Sequence, residues 1–129
     1  MRYRVSYLIV PETLKRNDAE ALETKAYRAA SFGLDPLKQS AAVSMAAAMG
    51  MYERVVNLDA DNLEDVFRLC NSIDKYWKET MPESANAVYL KNGNMRSMSV
   101  GDLVDDGAGN YWVVASFGFE PVSIESAKC

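Results

Sequence analysis

Two apolar runs joined by a glycine-rich turn, in the last quarter of the sequence, constrain the fold more than any other feature. The first run is Leu103-Val104, the second covers residues 111–116, and the turn between them contains Gly107 and Gly109. Tight hairpin turns place residues at positive φ, which glycine adopts without strain. The pattern therefore predicts two antiparallel β-strands, and it carries no recognisable catalytic motif.

Further strands are predicted where β-branched and aromatic residues concentrate, at residues 3–10, 51–58 and 87–91. Asn92-Gly93-Asn94 is a turn signal after the last of these. Gly118, which lies between two phenylalanines, predicts a β-bulge or a close backbone approach.

Two alanine-rich helices are predicted between the first two strands. Asn17 is expected to cap the first helix, with Glu20 as its capping-box partner, and Gly33 is expected to end it. Asp35-Pro36 is a start signal for the second helix, which Gly50 ends. Small side chains let helix axes approach closely, so the two helices should form an αα-hairpin. The residues expected to face inward from the first helix are Leu22, Ala26, Ala29 and Ala30.

The most regular helical pattern covers residues 63–77. Asp61 and Glu64 are predicted to form its capping box. Its apolar residues recur at spacings of three and four, opposite most of the charged ones. These apolar residues are Leu63, Val66, Phe67, Cys70, Ile73 and Trp77. The pattern predicts an amphipathic helix docked on a sheet.

The length and composition suit one globular domain. The chain has 129 residues, of which 49% are hydrophobic, which is enough for a core of its own. We predict a single α+β domain over residues 1–129, built on a mostly antiparallel sheet of four or five strands. The amphipathic helix and the Ala-rich helical hairpin of residues 12–50 are expected to cover one face of that sheet.

The composition disfavours several classes of function. Histidine is absent, which removes the usual general base, the usual partner of a nucleophile and the commonest metal ligand. The 14 basic and 18 acidic residues give a net charge of −4, which disfavours binding of nucleic acid through the overall field. Cys70 and Cys129 show no disulfide pattern, and the sequence contains no targeting signal or membrane-length apolar run. We expect a reduced, cytoplasmic protein with no membrane partner.

Two groups of carboxylates are candidate metal ligands, but neither matches a known site. The first group is Asp59, Asp61, Glu64 and Asp65, and the second is Asp102, Asp105 and Asp106. An EF-hand loop counted from Asp59 fails at its fifth, sixth and twelfth positions. The first group is better explained by acids at a helix N-terminus, and the second by turn chemistry. No catalytic residue, cofactor or metal ligand is predicted, and a weak Mg²⁺ site is the alternative for the first group.

Two features are candidates for contact with a macromolecule. Methionine side chains adapt to irregular surfaces, and aromatic side chains can stack on the bases of single-stranded nucleic acid. Strand alternation directs about half of the aromatics Tyr111, Trp112, Phe117 and Phe119 to the core. Arg2, Lys91 and Arg96 would have to contact the phosphates. The candidate partner-binding residues are Met45, Met49, Met51, Arg96, Trp112, Phe117 and Phe119.

The segment Arg96-Ser-Met-Ser-Val-Gly-Asp-Leu-Val, followed by Asp-Gly, an aromatic-Val-Val strand and Phe-Gly-Phe-Glu, resembles a pattern in small proteins of bacteriophages and mobile elements. The resemblance covers residues 52–120, includes Tyr52-Glu-Arg-Val and Asn71-Ser-Ile-Asp, and extends loosely to a YodL-like group. It implies that the gene is phage-like or plasmid-like and is expressed in a host bacterial cytoplasm. It implies no catalytic residue. The helical hairpin lies outside the resembling segment and is expected to be an elaboration.

The leading hypothesis is a non-catalytic phage or mobile-element accessory protein that binds an unidentified host protein, in counter-defence or host takeover. The alternative is a small nucleic-acid-binding module that uses the aromatic side chains of the C-terminal sheet. A third hypothesis is an enzyme that works through carboxylates. Self-association, through a free sheet edge or through the hairpin, is also open.

Overall fold

The computed structural model describes residues 1–32, 35–72 and 75–124. Within them the chain forms six strands, five α-helices and one short 3₁₀ helix. In chain order these are β1 (Arg2–Leu8), α1 (Glu12–Lys15), α2 (Leu22–Phe32), α3 (Pro36–Ala48), β2 (Tyr52–Asp59), α4 (Leu63–Leu69), α5 (Trp77–Thr80), the 3₁₀ helix (Glu83–Ala85), β3 (Val88–Tyr89), β4 (Leu103–Asp105), β5 (Tyr111–Ala115) and β6 (Gly118–Val122).

The six strands form one antiparallel sheet in the order β3-β2-β1-β4-β5-β6. The α+β class and the mostly antiparallel sheet are therefore confirmed, with one strand more than the four or five expected. β1 lies in the interior of the sheet, between β2 and β4. Residues 52–120 alone therefore cannot complete this sheet, because β1 precedes them in the chain.

The helices cover both faces of the sheet, so the expectation that they share one face is wrong. Successive residues of a strand point to opposite faces, and the two hydrophobic clusters divide accordingly: Val104 belongs to the first cluster and Leu103 to the second. α4 and α5 supply Val66, Leu69 and Trp77 to the first cluster. The alanine-rich helices α2 and α3 pack in the second cluster, on the opposite face.

A β-bulge in β2 lets two consecutive valines face the same cluster. Val5 pairs with Val56 but Ser6 pairs with Arg54, so Val55 is the extra residue. Val55 and Val56 are consequently both buried in the first cluster. The shift also places Tyr52 against the second cluster.

The amphipathic helix predicted for residues 63–77 is wrong beyond Leu69. The carbonyl of Cys70 accepts a hydrogen bond from the N–H of Met98 at 3.0 Å, so long-range pairing replaces the next helical turn. Trp77 begins the separate helix α5, and Ile73 lies outside the described residues. The cap is also one residue later than predicted: Asn62, not Asp61, accepts from the backbone N–H of Asp65.

The second helix of the hairpin begins as predicted and the first does not. The Asp35 side chain accepts from the Leu37 N–H, proline occupies the first turn, and Gly50 has a φ of +71° after the last turn. Asn17 does not cap α2. It has a φ of +61° and follows the C-cap residue of α1, so it ends that helix. Leu22 is 52% exposed rather than inward-facing, and Gly33 lies outside the described residues.

Candidate functional site

Arg96 and Asp102 are the two charged residues of the Arg96-Ser-Met-Ser-Val-Gly-Asp segment, and they form a bidentate ion pair. The two terminal nitrogens of Arg96 lie 2.7 and 2.8 Å from the two oxygens of Asp102. Asp102 is fully buried and also accepts the backbone N–H groups of Leu8 at 2.9 Å and Ser99 at 2.8 Å. A buried carboxylate with four hydrogen bonds is compensated, so this segment joins β1 to the start of β4.

Two aromatic side chains hold the backbone of Arg96 in place. The Tyr7 hydroxyl and the Trp77 indole N–H both donate to the Arg96 carbonyl, at 2.9 and 2.8 Å. The guanidinium also stacks 4.2 Å from the centre of the Tyr7 ring. Burial raises the pKa of Tyr7 well above its usual 10.0, and hydrogen bonding to Asp102 raises the pKa of Arg96. The segment that carries the sequence resemblance thus has a clear structural role.

Other acids of the two carboxylate groups also have protein partners. Asp105 is buried and accepts from Arg4, and Asp59 accepts from Arg2 and Asn86. Hydrogen bonds, first of all from Asn86, lower the pKa of Asp59. Among the described residues no group of three or more Cys, Asp or Glu side chains could hold a metal ion.

Cys70 is buried and reduced. Burial raises the pKa of its thiol to about 12, and the charge of Asp102 contributes to the rise. Since the thiolate is the reactive species, this environment is that of a packing residue.

An apolar groove lies between α4 and the β5–β6 hairpin, on the face of the first cluster. Its volume is about 490 Å³. The lining residues are Glu64, Phe67, Ser99, Val100, Val114, Ala115, Ser116, Gly118 and Phe119. We call this site the phenylalanine groove, because Phe67 and Phe119 meet edge to face in it, with ring centres 6.4 Å apart and an interplanar angle of 85°.

Phe117 stands at the rim of the phenylalanine groove. It occupies the two-residue turn between β5 and β6, where Ala115 pairs with Gly118, and its side chain is 100% exposed. The pairing beyond Gly118 continues without a shift, and a Cβ there would meet nothing within 4 Å. The bulge or close approach predicted at Gly118 is therefore wrong, and its φ of +104° fits the end of a tight turn instead.

The candidate partner-binding residues do not form one surface. Met45 is exposed, Met49 is half-buried against the second cluster, and Met51 is buried there, so the three methionines offer no common contact surface. Trp112 and Phe119 are partly buried against the first cluster. Phe119 lines the phenylalanine groove, and Phe117 lies in the turn between two lining residues, Ser116 and Gly118.

Some residues of the groove were missed by sequence reasoning. Phe67 was placed on the buried face of a long helix, whereas it is 36% exposed and lines the groove. Val100, beside Gly101, had no periodic pattern to mark it. The only signal available was the Ser-Phe-Gly sequence at 116–118, where a bulky apolar residue occupies a tight turn.

The four aromatic residues predicted as a stacking platform do not all lie on one face of the sheet. Tyr111 packs on the face of the second cluster and Trp112 on that of the first, so the aromatic residues do not share one surface. Each of the three candidate cations has a carboxylate partner: Arg2 pairs with Asp59, Lys91 with Glu53 and Arg96 with Asp102.

Comparisons with protein-family models, with curated proteins and with solved structures find no match to this chain. In the part of the chain that the structure describes, no helix has the length and apolar character needed to cross a bilayer. The phenylalanine groove is therefore the feature from which a function can be argued.

Proposed function

We propose that this chain is a non-catalytic accessory protein of a phage or mobile element, and that it binds a host protein in the bacterial cytoplasm through the phenylalanine groove. The observation that carries the proposal is the complete exposure of Phe117 beside an apolar groove. A single exposed apolar residue is ordinary on a protein surface. An exposed aromatic ring next to a concave apolar surface is the arrangement found at the centre of protein interfaces.

The hydrogen bonding of the other functional groups supports a binding role over a catalytic one. Asp102 and Asp105 are engaged by Arg96 and Arg4, and the Cys70 thiol is buried with a raised pKa. These groups have structural partners that account for their positions. Phe117, in contrast, has no contact within the fold that explains a phenylalanine at that turn.

The origin from a phage or mobile element is supported by the resemblance of residues 52–120, which includes β5 and the turn that follows it. Small proteins of such origin often act on host proteins by contact, so counter-defence or host takeover is the proposed context. This step is an analogy of origin.

The proposal is tested by affinity capture from bacterial lysate with matched baits. The wild-type chain, Phe117→Ser and Leu37→Ser are compared, because Leu37 is also highly exposed, at 83%, but lies on α3. We expect a partner that wild type and Leu37→Ser retain and that Phe117→Ser loses by at least about tenfold. The captured protein is then purified and titrated against all three. Equal retention by Phe117→Ser excludes the groove, and no partner at micromolar bait contradicts the proposal.

A further inference from the structure

The charge of the residues that line the phenylalanine groove indicates the charge of its occupant, on the premise that the groove is the binding site proposed above. Of its nine lining residues only Glu64 carries a charge, and none is basic. Glu64 lies in the first turn of α4. Among the ion pairs of the described residues, none involves Glu64, so its carboxylate is available to a partner.

A second acid lies on the face of the sheet that holds the groove, because Asp106 is two residues after Val104 of the first cluster. Asp106 follows β4 directly, and both Asp106 and Glu64 act electrostatically on the Tyr3 hydroxyl, whose pKa burial and these two charges raise. Asp106 is hydrogen-bonded by Asn110 and by the Ala108 N–H, which keep it ionised. Asp106 and Glu64 thus act on the same hydroxyl, and of the two only Glu64 lines the groove.

The other eight lining residues are uncharged. Ser116, Gly118 and Phe119 of the β5–β6 hairpin are among them, and the exposed ring of Phe117 is in the same turn. An occupant that fits this lining needs an apolar side chain beside Phe117 and a cationic side chain toward Glu64. Matched opposite charges favour the correct partner and repel acidic competitors.

We infer that the phenylalanine groove binds a protein segment that carries an aromatic or branched aliphatic anchor together with a nearby Lys or Arg. The anchor lies in the groove against Phe67 and Phe119 and contacts Phe117. The basic side chain pairs with Glu64. A second copy of this chain placed symmetrically on the groove fits less well, because its own lining has no basic residue to pair with Glu64.

The test uses a displayed library of random twelve-residue peptides, selected on the wild-type chain and counter-selected on Phe117→Ser. We expect enriched peptides to combine an aromatic or aliphatic anchor with at least one Lys or Arg. The consensus peptide is then synthesised, labelled and titrated by fluorescence anisotropy. Glu64→Gln should weaken its binding by about threefold, as expected for a surface ion pair, and raised salt should have the same effect.

Matched controls separate the contributions. Glu23→Gln, which removes an acid on α2, on the other face of the sheet, should leave the peptide affinity unchanged. Phe117→Ser should reduce the affinity by about tenfold or more. Circular dichroism of each variant checks that the fold is retained.

The outcomes distinguish the two proposals. Enriched peptides that lose binding with Phe117→Ser but carry acidic or no charges, or that ignore Glu64→Gln, overturn the inferred partner chemistry and leave the binding role intact. No enrichment at all contradicts both. Dimerisation of the free chain that Phe117→Ser abolishes, measured by light scattering, would assign the groove to a second copy and also overturn the inference.

Discussion

Gly101 offers the sharpest test of how the helical hairpin packs on the sheet. Its φ is +99°, and a Cβ at this position would lie 3.2 Å from the carbonyl oxygen of Ala30 and 3.2 Å from a methyl carbon of Leu8. The Leu8 side chain can rotate away. The Ala30 carbonyl cannot, because it belongs to α2 and accepts a hydrogen bond from the buried Gln39 side chain at 2.9 Å.

Gly109 is a matched control for the backbone contribution. Its φ is +97°, and a Cβ there would meet nothing within 4 Å. Alanine at either position should lower the free energy of unfolding by about 1–3 kcal/mol, the cost of holding a non-glycine residue at positive φ. The gain from restricting the unfolded chain is similar at both sites. Gly101→Ala should cost about 1–3 kcal/mol more, the usual penalty for overpacking.

Urea unfolding followed by tryptophan fluorescence measures both variants. We expect Gly101→Ala to lower the free energy of unfolding by a total of about 2–6 kcal/mol, with an m-value close to that of the wild type. If the two variants lose the same stability within about 0.5 kcal/mol, the usual scatter between independent sites, the close contact between Gly101 and α2 does not exist.

Three other results are expected. Asp102→Ala should destabilise the fold by about 3–5 kcal/mol in urea unfolding, because it leaves Arg96 and two backbone N–H groups without their carboxylate; a loss below about 1 kcal/mol would contradict the ion-pair geometry. In a Cys129→Ser background, Cys70 should react with a thiol reagent only as fast as the protein unfolds, and rapid reaction at pH 8 would refute its burial. Burial raises the pKa of Tyr7 above the 10.0 of an exposed tyrosine, so the neutral form is favoured in the fold. This preference for neutral Tyr7 stabilises the fold fully below pH 10 and is lost as the pH rises above 10, because the unfolded chain then ionises first. Thermal melts between pH 8 and 11 should therefore show a Tm that falls at the upper end of this range.

The elements that the sequence predicted well are those determined by local signals. Asp35 and Gly50 define the two ends of α3, and Gly107 and Gly109 provide the positive φ required between β4 and β5. Capping and turn chemistry act over a few residues, so they can be read without tertiary information. They also determined the α+β class.

The elements that sequence reasoning missed depend on contacts between distant residues. The periodic pattern continues past Leu69, but pairing of Cys70 with Met98 and of Trp77 with Arg96 ends the helix. The bulge at Val55 shows in no local pattern, since two adjacent valines also suit a strand buried on both faces. Tertiary partners override propensity in both cases.

The candidate site could be predicted only in part from the sequence, for the same reason. Of the predicted contact residues, Phe119 lines the groove and Phe117 lies in the turn beside it. Its other wall comes from α4, whose position over β5 and β6 follows from packing and not from any motif. Arg96 is also among the predicted contact residues, but it forms an ion pair with the buried Asp102, six residues later, and so stabilises the fold.

The interior position of β1 has a consequence for how this protein is made. Arg4 pairs with a residue 101 positions later in the sequence, and Val5 pairs across to Val56. The first strand therefore leaves the ribosome long before the chain that flanks it on its second side has been synthesised. Until then an apolar segment with an unpaired backbone edge remains open to wrong partners, and such long sequence separations slow folding. The pairing of β1 with β4 therefore completes the interior of the sheet only after most of the chain has been made.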